Sequence, residues 1–263
     1  MKNMKKNTLA ILLLAVALLL WGCSNGEIGF VSVMKYDNAD RYTTGAAELS
    51  GSIRVLDVKW IDGEVNIQYY DGDKIVLKES SGKTLEEKEQ LHWWLDDGTL
   101  TIQYAASGYK TNKFLNKELT ILLPEGTELM QLKLEVVSSD VQLADVQAEK
   151  IKINTVSGDL EGCIATADQV TIETVSGEVD IEVNQTNSLT ANTVSGNIKL
   201  LFAVAPEKID AESVSGNVKI CIPEDCGFRI VMNSVAKIGC VATENEIWGQ
   251  CGGGNETSSR DSC

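Results

Sequence analysis

Four serines, Ser157, Ser176, Ser195 and Ser215, each precede a glycine and each follow a Thr or Ser by two residues. A serine in a sharp turn can act as a nucleophile, but only with a base beside it. No His or Lys recurs at a fixed offset from these four, so no catalytic residue is assigned. The residues after the glycines, Asp159, Glu178, Asn197 and Asn217, form a column of oxygen donors, the type Ca²⁺ takes. The glycine-and-aspartate nonapeptide of calcium-binding β-rolls is absent, and solvated corner positions account for the pattern. The seven cysteines are Cys23, Cys163, Cys221, Cys226, Cys240, Cys251 and Cys263. With a single histidine, His92, and no Cys-x-x-Cys spacing, they do not compose a structural zinc site. No metal or cofactor is expected. Disulfides are chemically permitted in an exported chain, yet none of these cysteines recurs with the repeat described below.

The elements that carry the serines repeat. Ile153 to Leu160, Ile172 to Val179, Ala191 to Ile198 and Ala211 to Val218 align without gaps around Thr/Ser-Val-Ser-Gly. A weaker copy, Leu134 to Val141, precedes them, and a degenerate one, Asn233-Ser-Val-Ala, follows. The central valines, Val137, Val156, Val175, Val194 and Val214, lie 19 or 20 residues apart. Within a unit, Val170, Ile172 and Thr174 alternate on even positions, whereas Val179, Ile181 and Val183 alternate on odd ones. Period two marks a half-buried strand, and the change of parity marks a corner at Val175-Ser176-Gly177. Units this short cannot bury a core alone and must stack at ~4.8 Å. The spacing therefore predicts an all-β, single-stranded β-solenoid, similar to a parallel β-helix. Stacking would align the valines into an aliphatic column, and Thr155, Thr174, Thr193 and Ser213, like the four serines, into hydroxyl ladders that satisfy one another.

The N-terminal half carries a diluted form of the unit. Val58 to Ile67 aligns with Ile172 to Ile181, with Gly63 matching Gly177, and Trp94 to Ile102 repeats the pattern around Gly98. Residues 50–130 are therefore expected to be irregular β-rich first coils, and 131–245 the regular coils. Residues 246–263 read as a polar, disordered tail that leaves the last coil open.

The first 22 residues stand outside the fold. Lys2, Lys5 and Lys6 precede an apolar run from Leu9 to Trp21. That run is short for a spanning helix, which takes ~20 residues, and fits a secretory signal. It ends in Leu20-Trp21-Gly22-Cys23, which is similar to a bacterial lipobox, so Cys23 is the expected lipidation site. Two acyl chains there would give stable anchoring, with residues 23–49 as a tether at the extracytoplasmic face of the membrane. Removing the signal takes away three lysines and no acid, leaving 20 basic against 38 acidic side chains, a formal charge of −18. So acidic a surface repels phosphate backbones and excludes nucleic acid as a partner.

The strand ending in Pro124-Glu-Gly126, the serial T-V-S-G corners and Ile220 to Phe228 together resemble the bacterial putative-adhesin family of unknown function. The resemblance implies a secreted or membrane-anchored protein, in some cases encoded beside envelope-stress systems, with no catalytic residue to carry over. It points to a non-enzymatic adhesin-like module with a protein, cell-wall or glycan partner. An envelope-stress accessory that binds a membrane sensor is the alternative. A polysaccharide-active β-helix enzyme needs clustered carboxylates with Arg, Lys or Ca²⁺. Of the four arginines, Arg41, Arg54, Arg229 and Arg260, only Arg229 borders the repeats. Trp60, Trp93, Trp94, Tyr69, Tyr70 and Tyr104 cluster in the irregular half, where they either fill wide coils or meet a glycan.

Overall fold

A computed structural model describes residues 34–110 and 115–223 in full, and the backbone of 238–242 and 245–249. The described residues form fifteen strands. They are β1 (Thr43–Thr44), β2 (Ala47–Leu49), β3 (Val55–Tyr70), β4 (Ile75–Ser81), β5 (His92–Asp96), β6 (Thr99–Gln103), β7 (Lys117–Pro124), β8 (Leu129–Ser157), β9 (Leu160–Ser176), β10 (Val179–Ser195), β11 (Ile198–Phe202), β12 (Lys208–Ser215), β13 (Val218–Ile222), β14 (Ile238–Ala242) and β15 (Asn245–Gly249).

The long strands pass through corners without losing their ladder, so each contributes to two sheets. Sheet A holds the segments before the corner, in the order β1, β5, β6, β3, β8, β9, β10, β12, with β8 crossing it twice, at residues 131–138 and 147–157. Sheet B holds those after it, in the order β2, β4, β7, β3, β8, β9, β10, β11, β13, β14, β15. Pairing from β3 to β13 is parallel, in the register that the repeat predicts: Ile153, Ile172, Ala191 and Ala211 are successive partners. The expected change of parity is present, since Val170, Ile172 and Thr174 are buried before the corner and Val179, Ile181 and Val183 after it. Between the sheets lies one core, to which each coil adds a layer such as Val179, Ile181, Val183, Leu189 and Ala191. At ~1.5–3 kcal/mol for a buried aliphatic side chain, a coil is stable only when both neighbours cover it.

The N-terminal end differs from expectation in two places. Gly98 does not mark a solenoid corner. Asp97 (φ 43°) and Gly98 (φ 72°) form the two-residue loop of an antiparallel hairpin in which Asp96 faces Thr99. Two successive positive φ values are the geometry of the tight hairpin turn that Asp-Gly favours. Gly63, by contrast, does stack on the later corners, facing Ser139 of β8. Residues 34–49, expected to belong to a tether, pack on the fold instead. Leu49 joins the core, Tyr36 donates to the Ala105 carbonyl, and β1 and β2 pair antiparallel with β5 and β4. These two- and three-residue strands end both sheets, and such short edges offer little ladder for another chain to join. At the far end β15 turns back antiparallel on β14, so Asn245–Gly249 is strand rather than polar tail. Residues 250–263, Cys23 and the degenerate copy at Asn233 lie outside the described residues.

Candidate interaction surface

The corners show why glycine recurs. A Cβ on Gly158, Gly177, Gly196 or Gly216 would lie 2.0–2.1 Å from the carbonyl oxygen of the equivalent residue one coil earlier. Gly177 also has φ +128°, where a side chain adds strain. Ser139, whose φ is not positive, holds the same place in the earlier coil. The hydroxyl ladders take a different form from the expected one. Thr155 and Thr174 donate to the carbonyls of Ser157 and Ser176, two residues on in their own coil, and the four corner serines are exposed. At these two corners a local turn bond wins because donor and acceptor are already adjacent, whereas Ser213 Oγ donates to the Gly196 carbonyl one coil earlier at 3.1 Å.

The oxygen column after the glycines is used between coils. Asp140 Oδ1 accepts the Asp159 N–H at 2.9 Å, and Asp159 Oδ1 accepts the Glu178 N–H at 2.7 Å. Glu178 accepts from the Asn197 amide at 2.8 Å, and Asn197 Oδ1 accepts the Asn217 N–H at 3.0 Å. Each side chain thus fastens the next corner. No group of three or more His, Cys, Asp or Glu among the described residues could hold a metal ion.

The central valines face outward, not into the core. Val214 is 45 % exposed, and Val156, Val175 and Val194 are half-buried. With Val137 they make a solvent-facing aliphatic row down sheet A, ~19 Å long at the spacing of paired strands, and the next position, Ile61, packs against the core. Beside it runs a second row, Asn154, Glu173, Asn192 and Glu212, and then a third, Lys152, Thr171, Thr190 and Asp210. Although Asn154 faces outward, it is only 3 % exposed, and its Oδ1 has no hydrogen-bond partner. The outer side of sheet B is unlike this, with exposed polar residues paired from coil to coil: Gln142 to Glu161 at 3.2 Å and Lys199 to Asp180 at 2.8 Å.

Toward the N-terminus the outer side of sheet A becomes charged and then aromatic. Lys133 bonds Glu135 at 2.9 Å and lies 3.6 Å from Asp57, while Lys59 reaches Glu135 at 3.5 Å. Burial raises the Asp57 pKa despite Lys133 and Lys59. Beyond this network Trp94 lies beneath Tyr42 (centroids 5.8 Å apart) and Arg41 (5.4 Å from the ring), and Tyr36 packs on Tyr42 at 4.6 Å. The other aromatics are committed inside. Trp60 and Tyr104 are core residues, and Trp93 points inward with Nε1 donating to the Gly45 carbonyl. Tyr69 and Tyr70 donate to the carbonyls of Thr127 and Lys74. Structural filling therefore accounts for all but Trp94.

A buried ion cluster escaped the sequence reading. Lys117 Nζ bonds Glu79 Oε1 at 2.6 Å and the Glu89 carbonyl at 2.7 Å, and also donates to the Tyr104 carbonyl. Its ammonium lies 4.7 Å from the Trp60 ring centroid and 4.0 Å from that of Tyr104. Burial lowers its pKa against the opposing pull of Glu79. Glu79 also accepts the Leu91 N–H on both oxygens, and Asp62 receives the Tyr104 hydroxyl and the Asn116 N–H. Three acceptors surround the Lys117 ammonium, and the cluster joins β3, β4, β7, the loop before β5 and Tyr104 just after β6. Its signal was legible, because Lys117 continues the inward alternation of Leu119, Ile121 and Leu123.

Cys163 and Cys221 are free thiols on the outer side of sheet B, linked only through Glu182 and Leu201 on the intervening coils, too far apart for a disulfide. Burial, with Asp145 beside it, pushes the Cys163 pKa up to about 11. No helix among the described residues is long and apolar enough to cross a membrane.

No curated protein is significantly similar to this chain. Among solved structures, a "putative cell adhesion protein" from Clostridium sporogenes is 12 % identical, with a TM-score of 0.41, over 68 % of this chain and 98 % of that one. A "putative adhesin" from Parabacteroides merdae is 13 % identical, with a TM-score of 0.37, over 72 % and 84 %. One from Bacteroides fragilis is 18 % identical, with a TM-score of 0.33, over 68 % and 95 %. The sequence profile of one family, Toastrack DUF4097, matches residues 50–235, which span the parallel coils and β4 to β6 of the N-terminal cap (β1, β2 and β4 to β6), and the chain belongs to that family.

Proposed function

We propose that the chain is a non-enzymatic interaction module, held at the extracytoplasmic face of the cell membrane by a lipid on Cys23, that presents the outer side of sheet A to its partner. The observation that carries this reading is the aliphatic row from Val137 to Val214, half-exposed beside an Asn/Glu row with an unsatisfied acceptor at Asn154. A continuous exposed apolar strip on a soluble domain marks an interaction site more often than it marks chance. The frame beneath is rigid, because each coil is bonded to the next through both sheets and the corner column, so the rows are preorganised for contact.

The test is photo-crosslinking in intact cells, with the wild type against Val175→Lys plus Val194→Lys. Both positions face outward, so the fold should survive, as a thermal melt would verify. Loss of the crosslinked species in the variant is the expected result. Unchanged crosslinking would move the contact elsewhere and refute the reading. Globomycin treatment followed by mass spectrometry tests the anchor, and an unchanged precursor fraction would exclude lipidation at Cys23.

A further inference from the structure

The three outer rows of sheet A are complementary to themselves when read backwards. A two-fold axis parallel to the strands, lying in the plane of contact, reverses the order of coils while keeping each row opposite itself. Placed midway between β9 and β10, it sets Lys152 against Asp210 and Thr171 against Thr190 in one row. In the next row it sets Asn154 against Glu212 and Glu173 against Asn192. In the third it sets Val156 against Val214 and Val175 against Val194. Every acid then faces an amide or an ammonium, and every valine faces a valine. The single mismatch is at the rim, where Lys150 opposes Lys208, both exposed and free to turn into solvent.

We infer that the outer side of sheet A pairs with a second copy of this chain about that axis, rested on the reading of this side as the interaction surface. Three features support that occupant over another. Lys152, Glu173, Asp210 and Glu212 form no ion pair among the described residues, whereas Lys133 nearer the cap is paired within its own chain. Asn154, whose Oδ1 has no partner in its own chain, sets an amide opposite Glu212, and its Nδ2 is a donor that a carboxylate accepts. The alternation Asn-Glu-Asn-Glu along one row matches its own reversal, which an unrelated partner would not require.

Four strands of about seven residues cover roughly 23 by 19 Å on each copy, so the contact buries about 900 Å² in total. That is below the ~1,200 Å² of stable specific interfaces and in the range of weak, transient ones, so association in the micromolar to sub-millimolar range is expected. Sedimentation equilibrium of the full-length chain in mild detergent tests it. Lys152→Glu and Asp210→Lys should each weaken self-association at least about tenfold, since each puts like charges in contact twice. An equimolar mixture of the two variants should restore wild-type association, because both contacts then pair Glu or Asp with Lys. A monomeric wild type, single variants that associate like the wild type, or a mixture that does not recover would each overturn the pairing. If self-association is absent but the Val175→Lys, Val194→Lys variant still loses its cellular crosslinks, the pairing falls and the surface reading stands. If neither experiment responds, both fall.

Discussion

Gly177→Ala is the sharpest test of the corner geometry. Its Cβ would stand 2.1 Å from the Gly158 carbonyl oxygen and 2.9 Å from the carbonyl carbon. A carbon and a carbonyl oxygen need ~3.3 Å, so the two coils must separate locally by about 1 Å, against a ~4.8 Å spacing. That movement strains the bonds on either side, Gly177 N–H to the Ser195 carbonyl at 3.3 Å and Leu160 N–H to the Glu178 carbonyl at 2.8 Å. It also strains the Glu178 N–H bond to Asp159 at 2.7 Å. Losing two such bonds costs about 2 kcal/mol. A non-glycine residue at φ +128° adds ~1–2 kcal/mol. The expected loss is therefore about 3–4 kcal/mol, a large part of the stability of an ordinary domain. Gly82 is the control, because nothing lies within 4 Å of its Cβ and its φ is not positive. Urea unfolding of both variants, followed by circular dichroism, makes the comparison, with Gly82→Ala expected within ~1 kcal/mol of the wild type. Hydrogen exchange on Gly177→Ala should show lost protection centred on the coils of β9 and β10. A Gly177→Ala variant as stable as Gly82→Ala would show that stacked corners do not require glycine.

Two further perturbations address groups that chemistry singles out. Lys117→Met leaves the Glu79 carboxylate buried without its cation, which costs ~3–5 kcal/mol, and exchange should accelerate in β4 to β7 before it does in β9 and β10. Uniform acceleration would mean that the cluster does not fasten the cap in particular. Cys163, with its pKa pushed up to about 11 from 9.0, carries roughly a hundredfold less thiolate at pH 8 than an ordinary cysteine. Its alkylation by iodoacetamide, read by peptide mass spectrometry, should be slow at pH 8 and rise with pH well beyond 9. A plateau near pH 9 would contradict the burial that holds the thiol neutral.

What the sequence made legible follows from how a solenoid is coded. One coil per 19 residues places every T-V-S-G unit on the previous one, so register, parity and the glycine corner all follow from spacing. Gly63 was legible for the same reason, since the alternation on each side of it matches that around Gly177. Gly98 misled because a glycine between two alternating runs is shared by a corner and a hairpin, and the deciding residue was Asp97. An Asp able to adopt φ 43° before the glycine permits the tight antiparallel turn, and no T-V-S-G corner has that pair of residues. The outward valines follow from the same alternation, which turns Thr174 inward and so leaves Val175 on the solvent side. Burial then went to Thr155 and Thr174, whose hydroxyls find a carbonyl two residues on, and the more apolar valine was left outside. A fold that needed only a core would have exchanged the two. That inversion, repeated at every regular corner, places β-branched apolar side chains in a straight row facing solvent. It is the strongest reason to look for the protein's contacts on the outer side of sheet A.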